Sequence, residues 1–255
     1  MNNFLFYIGA NTASLDYARA FLNSHGCAIA SEPTDSVTHL LLNVPAFTPD
    51  GALAGGGNLT TLLQNLPNHI TIVGGNLSAP IFQNYNTIDL LQNEAYLAEN
   101  AAITADCAIR IAYLHFPAVM RSTPVLILGW GRIAKCLTQL LSAIGTQVTV
   151  AARKESDLVI ARALGYNSIP FSDLQVHLSG YRIIFNTVPA MVLPATLSRC
   201  CRSDCLKIDL ASTPGIEGEC VIIARGLPGK LAPESAGHLI GKATLELTRY
   251  KEVSS

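Results

Sequence analysis

Charge is scarce in this chain. Asp, Glu, Lys and Arg together make up 14% of its 255 residues, and the formal net charge is −1. No run of Lys and Arg occurs, so the basic footprint of a nucleic-acid binder is missing, and so is a polybasic segment for a membrane surface. No uninterrupted apolar stretch is long enough to span a bilayer. The short apolar run Phe4 to Ala10, FLFYIGA, has no positive region before it and reads as a first strand rather than a signal peptide. The expectation is a cytoplasmic protein. Internal repeats and low-complexity segments are absent as well. The seven cysteines (Cys27, Cys107, Cys136, Cys200, Cys201, Cys205 and Cys220) are an odd number, which without a secretory signal argues for free thiols. Cys200, Cys201 and Cys205 cluster, but their spacing fits no paired zinc pattern and no His lies nearby in sequence, so no metal is expected.

What is abundant is apolar surface. Hydrophobic residues make up 49% of the chain, enough to bury a core in one large domain or two modest ones. The N-terminal part alternates strand-like and helix-like pieces. Phe4 to Ile8 reads as a strand. Ser14 reads as the cap of a helix carrying Ala18, Phe21 and Leu22, which Gly26 stops. Strands follow at Cys27 to Ala30, His39 to Leu42 and Ile70 to Val73. Leu59, Leu62, Leu63 and Leu66 mark a second helix. This pattern predicts a small parallel α/β domain of flavodoxin-like order. Connector helices follow from about residue 89, one begun by Asp89 and Gln92 and a second capped by Thr104. They place a domain boundary at 118/119.

After Pro124 the alternation becomes more regular. Val125 to Leu128 is a continuous apolar run, as expected of a strand covered on both faces. A helix from Arg132 to about Ile144 follows, then a strand at Val148 to Ala151 and a helix from Glu155 to Leu164. Further strands fall at Ile183 to Phe185, Leu206 to Leu210 and Val221 to Ala224, and a last helix runs from Pro233 to Tyr250. The expected fold is α/β: a doubly wound parallel Rossmann sheet over 119–255, with its C-terminal helix packing back, joined to the smaller N-terminal domain over 1–118.

Gly129-Trp130-Gly131-Arg132-Ile133-Ala134 is a G-x-G-x-x-A motif directly after a buried strand and opening a helix, the context that gives such a motif meaning. Gly129 suits the tight turn, Gly131 lets a pyrophosphate approach the backbone, and Ala134 lets the helix pack on the strand. The helix N-terminus offers free N–H groups to phosphates. The next strand ends in Ala152-Arg153-Lys154 where an NAD enzyme usually carries Asp or Glu. Two cations there suit a 2′-phosphate, so NADP is expected, with NAD as the alternative. Thr187, Val188 and Pro189 follow a later strand, and Asp209, Ala211 and Ser212 close the next. Both segments fall where loops line the nucleotide crevice.

In this order and spacing, VLILGWGRIA, VTVAARK, NTVPA, IDLASTPG and GLPGKLAPESAG together resemble the family of dipicolinate synthase A subunits, as does the connector with Asp89-Leu90-Leu91 and Asn100 to Asp106. Where that family tends to have Pro-Thr-Ala-Glu-Gly, this chain has Ile103-Thr104-Ala105-Asp106-Cys107. The resemblance implies a two-domain layout similar to the D-2-hydroxyacid dehydrogenases. It also implies NADP-linked oxidation of a dihydrodipicolinate-type intermediate to dipicolinate, a spore component. It makes a flavoprotein-like B subunit the partner and the mother cell of a spore former the location.

That reaction needs groups to hold two carboxylates and orient a ring. Lys230, Ser235, Asn100 and Thr104 are the candidates. His238, early in the last helix, is the candidate base, with Lys230 as the other catalytic candidate. Two other readings stay open. One is a different NADP-dependent 2-hydroxy or 2-oxo acid dehydrogenase, for which Arg225 and His238 lie near the expected positions without a clear pairing. The other is a nucleotide-sensing subunit with no chemistry of its own. The apolar stretch Leu239 to Leu247 leaves a homo-oligomer open too.

Overall fold

The computed structural model describes residues 4–253. The elements run β1 (Leu5–Ile8), α1 (Ala13–Ser24), β2 (Ala28–Ala30), β3 (His39–Leu41), α2 (Leu59–Gln64), β4 (Thr71–Gly74), β5 (Asn86–Asp89), α3 (Glu94–His115), β6 (Pro124–Leu128), α4 (Arg132–Ala143) and β7 (Gln147–Ala152). There follow α5 (Glu155–Ala163), β8 (Asn167–Pro170), α6 (Leu174–His177), β9 (Ile183–Asn186), α7 (Ala195–Ser198), β10 (Leu206–Asp209), β11 (Val221–Ile223), α8 (Leu227–Leu231) and α9 (Pro233–Val253). The chain divides into two compact units, residues 1–100 with 228–255, and residues 101–227. The expected boundary at 118/119 is therefore replaced by one inside α3. The segment from 228 onward groups with the first unit.

In the first unit five strands pair in the order β2-β1-β3-β4-β5, all parallel. This is the flavodoxin-like order that the alternation of elements implies. Leu59 and Leu63 of α2 pack with Leu40, Leu42, Ile70 and Ile72 in one apolar cluster. Leu15, Ala18 and Leu22 give α1 its buried stripe at helical spacing. Its cap is Thr12, whose hydroxyl accepts from Leu15 N at 3.3 Å, and not Ser14, which lies buried in the first turn. Thr12 is the last residue with extended backbone, the conformation a cap needs.

Close approach of two helices explains why α9 belongs to this unit. A Cβ on Gly237 would overlap the Ser14 carbonyl oxygen, and one on Gly241 would lie 2.8 Å from Phe21 Cδ1. The two glycines are four residues apart and so share one face of α9, which lets its backbone lie directly on α1.

In the second unit six strands pair in the order β11-β10-β9-β6-β7-β8, again parallel throughout. Counted within the unit from β6, this is the Rossmann order. Val125 to Leu128 of β6 are fully buried, as a central strand covered on both faces requires. Ala134, Leu137 and Leu141 form the buried stripe of α4.

Thr104 does not begin a second connector helix; it is buried inside α3, which runs unbroken. Strands β5 and β8 are not foreseen by the sequence pattern. Both are edge strands with polar, partly exposed residues, Asn-Thr-Ile-Asp and Asn-Ser-Ile-Pro, and so lack the apolar run that betrays an inner strand. Among the described residues no helix is long and apolar enough to cross a membrane.

Candidate functional site

All strands of the second unit run the same way, so β6, β7, β9, β10 and β11 end on one edge of the sheet. The glycine turn lies at the end of β6. Gly129 has φ +104°, a conformation side chains rarely adopt, and a Cβ there would lie 2.6 Å from Thr187 Oγ1 and 2.8 Å from Val188 Cγ2. Gly129 is thus required twice, for its backbone and for the packing of the loop after β9 against it. Thr187 holds that loop from the other side, donating through both N and Oγ1 to Leu128 O, at 3.0 and 2.9 Å.

Gly131 differs. It is the N-cap of α4, its φ of −78° suits any residue, no side chain caps the helix, and nothing lies within 4 Å of a Cβ built there. The start of α4, at Arg132 and Ile133, therefore lacks a side-chain cap and stands beside a residue without a side chain. That is a cradle for a phosphate group, which a Cβ would narrow. The residues present fit the dinucleotide that the motif implies.

Trp130 is placed otherwise than as a cofactor contact through its ring. Its side chain is buried with Val150, Ala152, Leu158 and Ala161, edge-on to Tyr166. It anchors the turn to β7 and α5. Arg153 and Lys154, just past β7, are exposed, and among the described residues neither side chain has a hydrogen-bond or ion-pair partner.

The ends of β9 and β10 are tied by a buried knot. Asn186 Nδ2 donates to Asp209 Oδ1 at 2.8 Å and to Val188 O at 3.1 Å, while Asn186 Oδ1 accepts from Val188 N at 3.0 Å. Asp209 also accepts from Ala211 N at 3.2 Å and Gly215 N at 2.8 Å. Neither Asn186 nor Asp209 has any solvent exposure. Asp209 is therefore a brace that shapes the loop of Ala211 and Ser212, not a group that reaches a ligand. Sequence reasoning does not single out Asn186. The available signal is a polar residue closing each of two adjacent apolar strands. Past β11, Arg225 Nε donates to Ala211 O at 2.9 Å.

Gly129, Gly131, Arg132, Ile133, Arg153, Lys154, Thr187, Val188, Pro189, Ala211 and Ser212 all fall at this one edge. The substrate and catalytic candidates fall on other elements. Lys230 is exposed on α8, and Ser235 and His238 are exposed on α9, in the first unit. The His238 ring lies against Tyr17 and Phe21 of α1, with centroids 6.2 and 5.9 Å away. Asn100 and Thr104 lie on α3, on either side of the division between the units, and both have partners within the protein.

Comparison with known proteins follows the same line as the motifs. The chain is 25% identical over 247 residues to the A subunit of dipicolinate synthase from Bacillus subtilis (strain 168), covering 89% of this chain and 83% of that one. The crystal structure of the Bacillus subtilis dipicolinate synthase A chain superposes with a TM-score of 0.84 at 21% identity, over 100% of this chain and 99% of that one. The A subunit of the Bacillus halodurans dipicolinate synthase gives 0.82 at 20% identity, over 96% and 98%. No family model matches. The chain is similar to the A subunit of dipicolinate synthase. That is the resemblance carried by VLILGWGRIA, NTVPA and GLPGKLAPESAG, and the shared fold extends it over the N-terminal unit.

Proposed function

We propose that the chain is an NADP-dependent oxidoreductase that oxidises a dihydrodipicolinate-type intermediate to dipicolinate, as the A subunit of a dipicolinate synthase. The observation that carries this reading is the uncapped N-terminus of α4 beside Gly131, one strand away from the unpaired cations Arg153 and Lys154. The α4 N–H groups bind the pyrophosphate. Arg153 and Lys154 bind the ribose 2′-phosphate, which selects NADP over NAD. When bound, NADP supplies the hydride acceptor.

The other half of the work is orientation. Conversion of a dihydropyridine to a pyridine removes one hydride and one proton. Aromatisation drives it, so a strong general base is unnecessary, and the ring contacts of His238 on α1 suit a packing role. The Asn186–Asp209 knot and the Thr187–Leu128 bonds hold the loops after β9 and β10 rigid, so that a ring is presented in one pose. The first unit takes the substrate or partner role, and a flavoprotein-like B subunit is the partner. The mother cell of a spore former is the setting.

The test is product formation. The purified chain is mixed with NADP and with dihydrodipicolinate generated in place by its upstream synthase, with and without a B subunit. Dipicolinate and NADPH are expected in equal amounts. NADP binding without dipicolinate in either mixture would overturn the reading and leave a nucleotide-sensing subunit.

A further inference from the structure

Arg225 stands immediately beyond β11, at the same sheet edge as the glycine turn but on the opposite flank. Three strand spacings separate β11 from β6, about 14 Å, and four separate it from β7. The phosphate-binding elements at the ends of β6 and β7 are therefore too far away to share their anions with it. Its Nε is fixed by Ala211 O at 2.9 Å, which aims the guanidinium along the loop of Ala211 and Ser212. Its Nη2 is buried and has no hydrogen-bond partner, and among the described residues no carboxylate pairs with this cation.

A guanidinium keeps its charge at every ordinary pH, and a buried charged donor left without a partner is strongly unfavourable. Arg182 shows what a satisfied case looks like. Its Nε is also buried without a partner, but Asp204 lies 3.3 Å from its Nη2, and its guanidinium covers the Phe116 ring at 4.9 Å. Arg225 has neither. The nearest acid along the loop, Asp209, is already engaged by Asn186, Ala211 and Gly215.

We propose that Arg225 is a substrate-binding residue that holds one carboxylate of a small carboxylic acid through its guanidinium. The inference deepens the proposed function and rests on its reading of this sheet edge as the reacting end of the site. A planar guanidinium matches a carboxylate, and the bond to Ala211 fixes its Nε before the ligand arrives. The residue also sits beside the loop that follows β10, where the reacting half of a dinucleotide lies in sheets of this order.

The test measures binding, not turnover. Wild type, Arg225→Met and Arg225→Lys are titrated by calorimetry with dipicolinate and with pyruvate, each with NADPH present, and NADPH affinity is measured separately. NADPH affinity within about two-fold of wild type shows that the unit is folded. Against that background, Arg225→Met weakens dipicolinate binding about 10- to 100-fold, and Arg225→Lys falls between, because it keeps the charge and loses the planar guanidinium. Equal dipicolinate affinity in wild type and Arg225→Met overturns the inference and leaves the proposed function standing. Binding of pyruvate but not dipicolinate to wild type, lost in Arg225→Met, upholds the carboxylate contact and overturns the dicarboxylate substrate. No binding of either acid to wild type overturns both.

Discussion

Asn186 Nδ2 lies 2.8 Å from Asp209 Oδ1, and the two residues face each other in register at the ends of adjacent parallel strands. They are 23 residues apart in sequence, yet together they determine the course of the loops after β9 and β10. Asn186→Ala removes a donor from a buried carboxylate. It is expected to destabilise the protein by about 2–3 kcal/mol in urea unfolding. It should also weaken cofactor binding by loosening Val188. A loss under about 0.5 kcal/mol would show that the knot is not a brace.

The two glycines of the turn separate cleanly. Gly129→Ala forces a side chain into a positive-φ position against Thr187 and Val188, and should cost about 2–4 kcal/mol of stability. Gly131→Val adds a Cβ with no protein atom within 4 Å and should change stability by about 1 kcal/mol or less, while abolishing dinucleotide binding. Thermal melts with a cofactor titration distinguish the two. Retained binding in Gly131→Val would reduce the motif to a turn.

Packing of α9 on α1 depends on Gly237. Gly237→Leu should destabilise the first unit by about 1–3 kcal/mol, because the Ser14 carbonyl and Tyr17 leave no room. Ser235→Ala, exposed on the same helix, serves as the control and should be neutral. Equal melting curves for the two variants would mean that the helices can separate without loss.

His39 gives the first unit a pH dependence. It is buried between Phe4 and Phe6, and that burial lowers its pKa from 6.5 to about 4. The unfolded chain therefore binds the proton more readily than the folded one. The stability due to neutral His39 is complete above about pH 6.5 and falls away as the pH drops toward 4. Urea midpoints across that window should decline in the wild type and flatten in His39→Gln. An unchanged slope in the variant would assign the decline to other groups.

The second unit is more legible in the sequence than the first because its signals are local. A buried apolar strand, a glycine turn and an amphipathic helix follow one another without a break from Pro124 to Ala143. Arg153 and Lys154 are read from position alone. Non-local relationships are not legible. Gly237 and Gly241 meet α1 more than 200 residues earlier in the chain, so nothing near them reveals that α9 joins the first unit. Thr104 has the side chain of a cap but is buried within α3, where tertiary packing overrides local preference. Trp130 sits inside a ligand-binding motif and yet turns into the core, which spacing cannot show.

The edge of the second unit is proposed as an NADP site. The affinities of NADPH and NADH for the wild type and for Arg153→Asp decide the matter. Arg153 is exposed, so the variant should fold normally. Wild type should bind NADPH at least about ten-fold more tightly than NADH, and Arg153→Asp should lose or reverse that preference. Equal affinities in the wild type, unaltered by the substitution, would mean that Arg153 does not hold a 2′-phosphate.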